Sequence, residues 1–153
     1  MAVDFNLLKK LREETGVSFS LCKKALEETD NNIEKAKKKL NEWGAKKAAD
    51  KADRVTSQGA LFSYVHHNKK IASMLELRSE TDFVSGNDEF RKLGAELAMQ
   101  IASVPAKDVE EFLKQEYIRE PGRTINDLIK EAVLKFGENI KISRLTRWEM
   151  GVK

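Results

Sequence analysis

The sequence predicts an α+β protein, with an N-terminal module of three short helices followed by a core domain in which a small antiparallel sheet packs on helices. Three observations carry this. Apolar residues recur at helical spacing as far as Trp43. Between Leu61 and Arg78 apolar side chains instead alternate with others, around a polar turn. After Asn87 helical spacing returns in long stripes, and an extended segment over residues 140 to 150 closes the chain. Strands grouped together, then helices, are the α+β pattern.

In the first helix Phe5, Leu8 and Leu11 mark an apolar stripe, with Leu7 alongside, until Thr15-Gly16 breaks it. Leu21, Cys22, Ala25 and Leu26 give the second helix its buried side, and Ser18 or Ser20 caps its start. Asn31 followed by Glu34 resembles a capping box for the third, whose inner side is Ile33, Ala36, Leu40 and Trp43 and which Gly44 ends. Residues 1 to 44 thus read as a ubiquitin-associated-like three-helix module with a small core and marginal stability of its own. Residues 45 to 57 offer alanines among charged side chains and nothing large to bury, so they read as a linker, and the core domain spans residues 58 to 153.

Leu61, Ser63 and Val65 face one way in the first strand, and Phe62, Tyr64 and His66 the other. His67-Asn68-Lys69-Lys70 turns the chain into a second strand, in which Ile71, Ser73, Leu75 and Leu77 alternate with Ala72, Met74, Glu76 and Arg78. Ser85-Gly86-Asn87 leads into a long helix with Phe90, Leu93, Leu97, Ile101 and Val104 on one side, stopped by Pro105. Val109, Phe112, Leu113 and Tyr117 mark a shorter helix. After the Glu120-Pro121-Gly122-Arg123 turn, Thr124 caps a helix bearing Ile125, Leu128, Ile129, Ala132, Val133 and Phe136, which Gly137 ends. The final extended segment reads as a third strand against the hairpin.

Composition narrows the class. No run approaches the ~18 apolar residues that span a bilayer, and the N-terminus shows neither a basic nor an apolar leader region, so a membrane or secreted protein is not expected. A single cysteine, Cys22, excludes an intramolecular disulfide and fits a reducing, cytoplasmic setting. The net charge of +3 is too mild to imply nucleic-acid binding. Lys35, Lys37, Lys38, Lys39, Lys46, Lys47, Lys51 and Arg54 form a basic stretch that reads first as a solvated helix face.

Enzyme signatures are missing. The sequence has no phosphate loop, no dinucleotide fingerprint and no nucleophile elbow. His66 and His67 are adjacent at a strand end, so their side chains are expected on opposite faces, unable to grip one metal together without distortion, and the pair reads as turn-exposed and uncoordinated. Cys22 lies on an apolar stripe and reads as a packed small hydrophobe. No cofactor and no metal are expected, and no nucleophile, base and oxyanion site assembles.

Residues Thr81-Asp82-Phe83-Val84 follow directly on the second strand. Taken alone they allow two readings. Phe83 folds back into the core, as most phenylalanines do, or it stands out beside Asp82 for a partner surface to receive.

Three segments together resemble elongation factor Ts. They are Leu11-Arg12-Glu13-Glu14-Thr15-Gly16 with Cys22-Lys23-Lys24-Ala25-Leu26, then Thr81-Asp82-Phe83-Val84, and finally Gly137-Glu138-Asn139-Ile140 with Arg144 and Arg147-Trp148-Glu149. They occur in that family's order and spacing and cover nearly the whole chain, which favours the exposed reading of Phe83. The resemblance implies a guanine-nucleotide exchange factor for elongation factor Tu, binding mainly its GTPase domain. It implies that Asp82 and Phe83 act near the magnesium site, with Thr81 and Val84 shaping the loop. It also implies that Arg12, Phe19 and Ser20 dock the N-terminal module, although the family often has an apolar residue where Ser20 is polar. For Phe19 the competing reading is a hydrophobic staple closing the bundle. The chain resembles the family's short form, with one core half, so a homodimer through an exposed sheet edge is a further expectation. Two other classes compete: an RNA-binding module using the basic stretch, whose affinity would fall steeply with salt, and an interaction module without effect on nucleotide.

Overall fold

The computed structural model describes residues 2 to 152. They divide into two compact units, Met1–Ala52 with Lys130–Gly137, and Asp53–Ile129 with Glu138–Lys153.

The first unit is built on α1 (Phe5–Thr15), α2 (Phe19–Glu28) and α3 (Ile33–Lys51). Asp4 caps α1 by accepting from the N–H groups of Asn6 and Leu7, and Gly16 ends it at φ 67°, a left-handed turn that glycine adopts without a Cβ penalty. Ser18, not Ser20, caps α2. Val17 and Cys22 stand at the staple positions around that cap, and both are buried. Phe19 is the first residue of α2, 41% exposed, and is not the staple. The cap of α3 is Asn32, whose side chain accepts from Lys35 N at 3.0 Å. Asn31 instead takes φ 61° and ties down the segment before α1, accepting from Asp4 N and donating to Ala2 O.

Two expectations need correction here. Gly44 does not end α3, which continues to Lys51. Gly44 is buried within the helix, and the Lys130 carbonyl oxygen would lie 2.9 Å from any Cβ placed there, so the glycine serves a close backbone approach rather than a stop. The following alanines are good helix formers and carry the helix on. Phe5, expected on the buried stripe, is 68% exposed. It sits at the very start of α1 and packs sideways against Phe19, with ring centroids 6.3 Å apart. The core beneath consists of Leu8, Leu11, Val17, Cys22, Ala25, Leu26, Ala36 and Leu40, joined by Leu134.

The second unit holds one antiparallel sheet in the order β1 (Gln58–Val65), β2 (Ile71–Ser79), β3 (Lys141–Glu149). Period-2 alternation sets its register. Phe62 pairs with Leu75, Ala60 with Leu77, and Leu77 with Ile142, which gathers the apolar side chains onto one face. After α4 (Asp82–Ser85), the long helix α5 (Asp88–Ser103) packs on that face. There Phe62 meets Phe90 at a centroid distance of 6.0 Å, and the buried Ser73 hydroxyl donates to Ala98 O at 2.5 Å. α6 (Val109–Lys114) buries Phe112. The buried Gln100 side chain donates to Gln115 Oε1 and Glu116 O and accepts from Ile118 N, which pins the irregular segment after α6. α7 (Ile125–Phe136) starts in a reciprocal cap, Thr124 N donating to Asp127 and Asp127 N donating to Thr124.

His66 and His67 follow the sequence reading as a turn pair and depart from it in orientation. β1 ends at Val65, so both histidines lie in the turn, where strand alternation no longer separates them. Their ring centroids are 4.1 Å apart, and His66 Nδ1 lies 2.9 Å from the Tyr64 hydroxyl. Among the described residues no group of three or more His, Cys, Asp or Glu side chains is placed to hold a metal. Nor is any helix among them long and apolar enough to cross a membrane.

Candidate functional site

The tetrapeptide after β2 is not an open turn but the single-turn helix α4. Thr81 is its N-cap, with its Oγ1 accepting from Val84 N at 3.4 Å. Val84 is the turn's buried foot, and α4 packs on β1 and β2. Once Val84 is fixed inward, helical geometry directs Asp82 and Phe83 away from it. Phe83 is 85% exposed, and Asp82 is exposed beside it with no hydrogen-bond or ion-pair partner for its carboxylate among the described residues. The four residues therefore divide as their types require, with the cap and the foot building the turn and the acid and the ring presented by it.

The support behind this turn comes from a distant segment. Just past Gly137, at φ 71°, the Glu138 carboxylate accepts from Glu80 N at 3.1 Å, Thr81 N at 3.0 Å and the Thr81 hydroxyl at 2.7 Å. The bonding is reciprocal, since the Glu80 carboxylate accepts from Asn139 N at 2.8 Å. Arg54 lies 3.6 Å from Glu80, and its carbonyl accepts from the buried Asn139 amide at 2.9 Å. Two carboxylates thus lace residues 80–81 to residues 138–139 through backbone N–H groups, and charge-assisted bonds of this kind are the strong ones. Sequence reading gave Glu138 no role. The signal lay in the Gly137-Glu138-Asn139-Ile140 motif, but the separation of 58 residues hid what the glutamate holds.

In the first unit Arg12, Phe19 and Ser20 are all exposed. The Arg12 guanidinium lies 6.0 Å from the centre of the Phe19 ring, at the limit of a cation–π contact. Phe5 extends the patch on the other side of Phe19, a residue that sequence reading had assigned to the core. Ser20 contributes only a hydroxyl, 3.4 Å from that of Ser18. The result is an aromatic and cationic surface at the junction of α1 and α2.

Two titratable groups away from this site are displaced from their ordinary range. Burial pushes the Cys22 thiol up, the reverse of an activated nucleophile. Burial, and then the bond it donates to Glu96 at 2.7 Å, raise the Tyr117 hydroxyl to about 12.

Comparison with known proteins bears on the whole chain. Residues 80–153 match the family described as elongation factor TS, and residues 1–49 match that described as the N-terminal part of mitochondrial elongation factor Ts. The elongation factor Ts of Aquifex aeolicus is 45% identical over 97% of this chain and 53% of its own length, so the chain spans about half of that protein. Those of Fervidobacterium nodosum and Leptospira biflexa are 35% and 36% identical over 99% of this chain, which covers 100% and 99% of them. Both alignments extend over 196 residues, so these relatives carry segments that the 153-residue chain lacks. With two family descriptions matched in order along the chain, and two relatives covered over 99% or more of their lengths, the chain belongs to the elongation factor Ts family.

Proposed function

We propose that the chain is a cytoplasmic guanine-nucleotide exchange factor, binding elongation factor Tu and promoting release of its GDP during translation elongation. The observation that carries this reading is the exposed Asp82–Phe83 pair on a firmly held turn. Phe83 enters an apolar crevice of the GTPase domain and displaces a helix there. Asp82 brings negative charge toward the hydrated Mg²⁺, which is held partly through water and phosphate and yields to small shifts in its surroundings. With the ion weakened, the diphosphate loses charge compensation and departs. No covalent step is needed, because the factor and GDP each lower the partner's affinity for the other, and a coupling of roughly 3 kcal/mol gives about 150-fold. The Arg12, Phe19 and Phe5 patch docks the first unit on the same partner, and aromatic and arginine anchors are what such contacts favour.

The test is release of a fluorescent GDP from elongation factor Tu. The native chain accelerates it, while Asp82→Ala and Phe83→Ala lose most of the acceleration. Phe19→Ala raises the concentration needed for half-maximal effect and leaves the maximum rate intact. Equal rates for the native chain and both loop variants would remove the loop from the mechanism.

A second copy of the chain is also proposed as a partner. The sheet face turned away from α5 exposes Leu61, Val65, Met74 and Trp148, the last 76% exposed. That face, which also carries the ion-paired Glu76, Arg78 and Arg144, can meet a second copy of itself about a two-fold axis.

A further inference from the structure

We infer that Glu138 is a positioning residue of exchange, acting through Thr81 to fix the direction in which Phe83 leaves the surface. This rests on the exchange reading above and adds the group on which the wedge depends. The Thr81 hydroxyl does two things at once. It donates its only proton to Glu138 at 2.7 Å, which leaves its lone pairs turned to Val84 N, 3.4 Å away, to start α4. Without the carboxylate that hydroxyl can rotate, and α4 has only one turn to lose. The same carboxylate takes the N–H groups of Glu80 and Thr81, the last two residues before the helix, so it fixes the backbone from which Asp82 and Phe83 project. Val84 then sets the depth of the turn, and Glu138 sets its angle. Glu138 is half-buried behind the turn, with both carboxylate oxygens engaged by residues 80 and 81. Its loss therefore alters how well a bound wedge works more than how tightly the factor binds.

Two measurements decide it. In the GDP-release assay Glu138→Ala lowers the maximum rate by about tenfold, the scale of losing hydrogen bonds to a charged group. The half-saturating concentration moves little. Thr81→Val, which removes only the hydroxyl, gives a smaller loss in the same direction and serves if Glu138→Ala folds poorly. In an Asp82→Ala/Phe83→Ala background Glu138→Ala has almost no further effect, because it acts through the two side chains that are already gone. Losses that multiply would place Glu138 in some other role and overturn the inference. Amide hydrogen exchange on the free chain is the second measurement and needs no partner. Glu138→Ala speeds exchange at Glu80 and Thr81 while the central β2 amides stay protected. Unchanged exchange at those two amides would also overturn it. If the amides loosen as expected but Glu138→Ala releases GDP at the native rate, the positioning role falls while the exchange reading stands. If Phe83→Ala itself releases GDP at the native rate, the exchange reading falls, whatever the amides report.

Discussion

Glu76, in the middle of β2, shows how single residues tune this molecule. Its carboxylate accepts from the Ser143 hydroxyl and from Arg78 Nε at 2.8 Å, with Arg144 at 3.4 Å. Those contacts, the Ser143 bond first and the Arg78 bond next, hold it down to about 2 from an ordinary 4.5. A carboxylate depressed in the folded state stabilises that state above its unfolded value, and the contribution is lost as pH falls toward the folded one. Stability is therefore expected to drop between about pH 4.5 and 2. In Glu76→Gln that part of the acid dependence disappears, as circular dichroism melts at pH 5 and pH 2.5 would register. At the same scale, the pairing of Asp82 with Phe83 was legible in the sequence. The tetrapeptide alone left the exposure of the ring open, because a phenylalanine after a strand fits either side of a surface, and the three motifs taken together favoured it. What decided it is Val84, which takes the inward place.

Elements meet where small residues permit it. Gly94 lies buried in α5, and a Cβ there would overlap the Phe62 ring of β1. Ala is the better helix former by about 1 kcal/mol, yet in Gly94→Ala the overlap wins. Inserting a methyl into packed surroundings costs about 1–3 kcal/mol, so a lower denaturant midpoint with an unchanged slope is expected in urea unfolding. Helix and strand periods were legible for most elements, since buried stripes at 3.6 and 2 residues are strong signals. Boundaries were less so. A glycine in α3 looked like a stop because the sequence does not reveal the carbonyl of Lys130 beside it. The single turn of α4 was missed because four residues are too few to show a period.

At the scale of the molecule, the α+β architecture followed from the order of its periodic segments. The assignment of Lys130–Gly137 to the first unit did not, because it depends on contacts between residues far apart in the chain. The apolar sheet face gives the prediction that belongs here. Sedimentation at micromolar concentration is expected to show a dimer for the native chain and a monomer for Trp148→Asp, and a native monomer would argue against self-association. One further consequence follows from the laced turn. A wedge that already stands in solvent, on a scaffold that need not open, lets the encounter proceed without waiting for a rearrangement of this chain. Association can then run at the ordinary docking rates of two preformed proteins, roughly 10⁵–10⁷ M⁻¹s⁻¹. Under the exchange function proposed above, any slow step belongs to the partner yielding to a turn that arrives fully shaped.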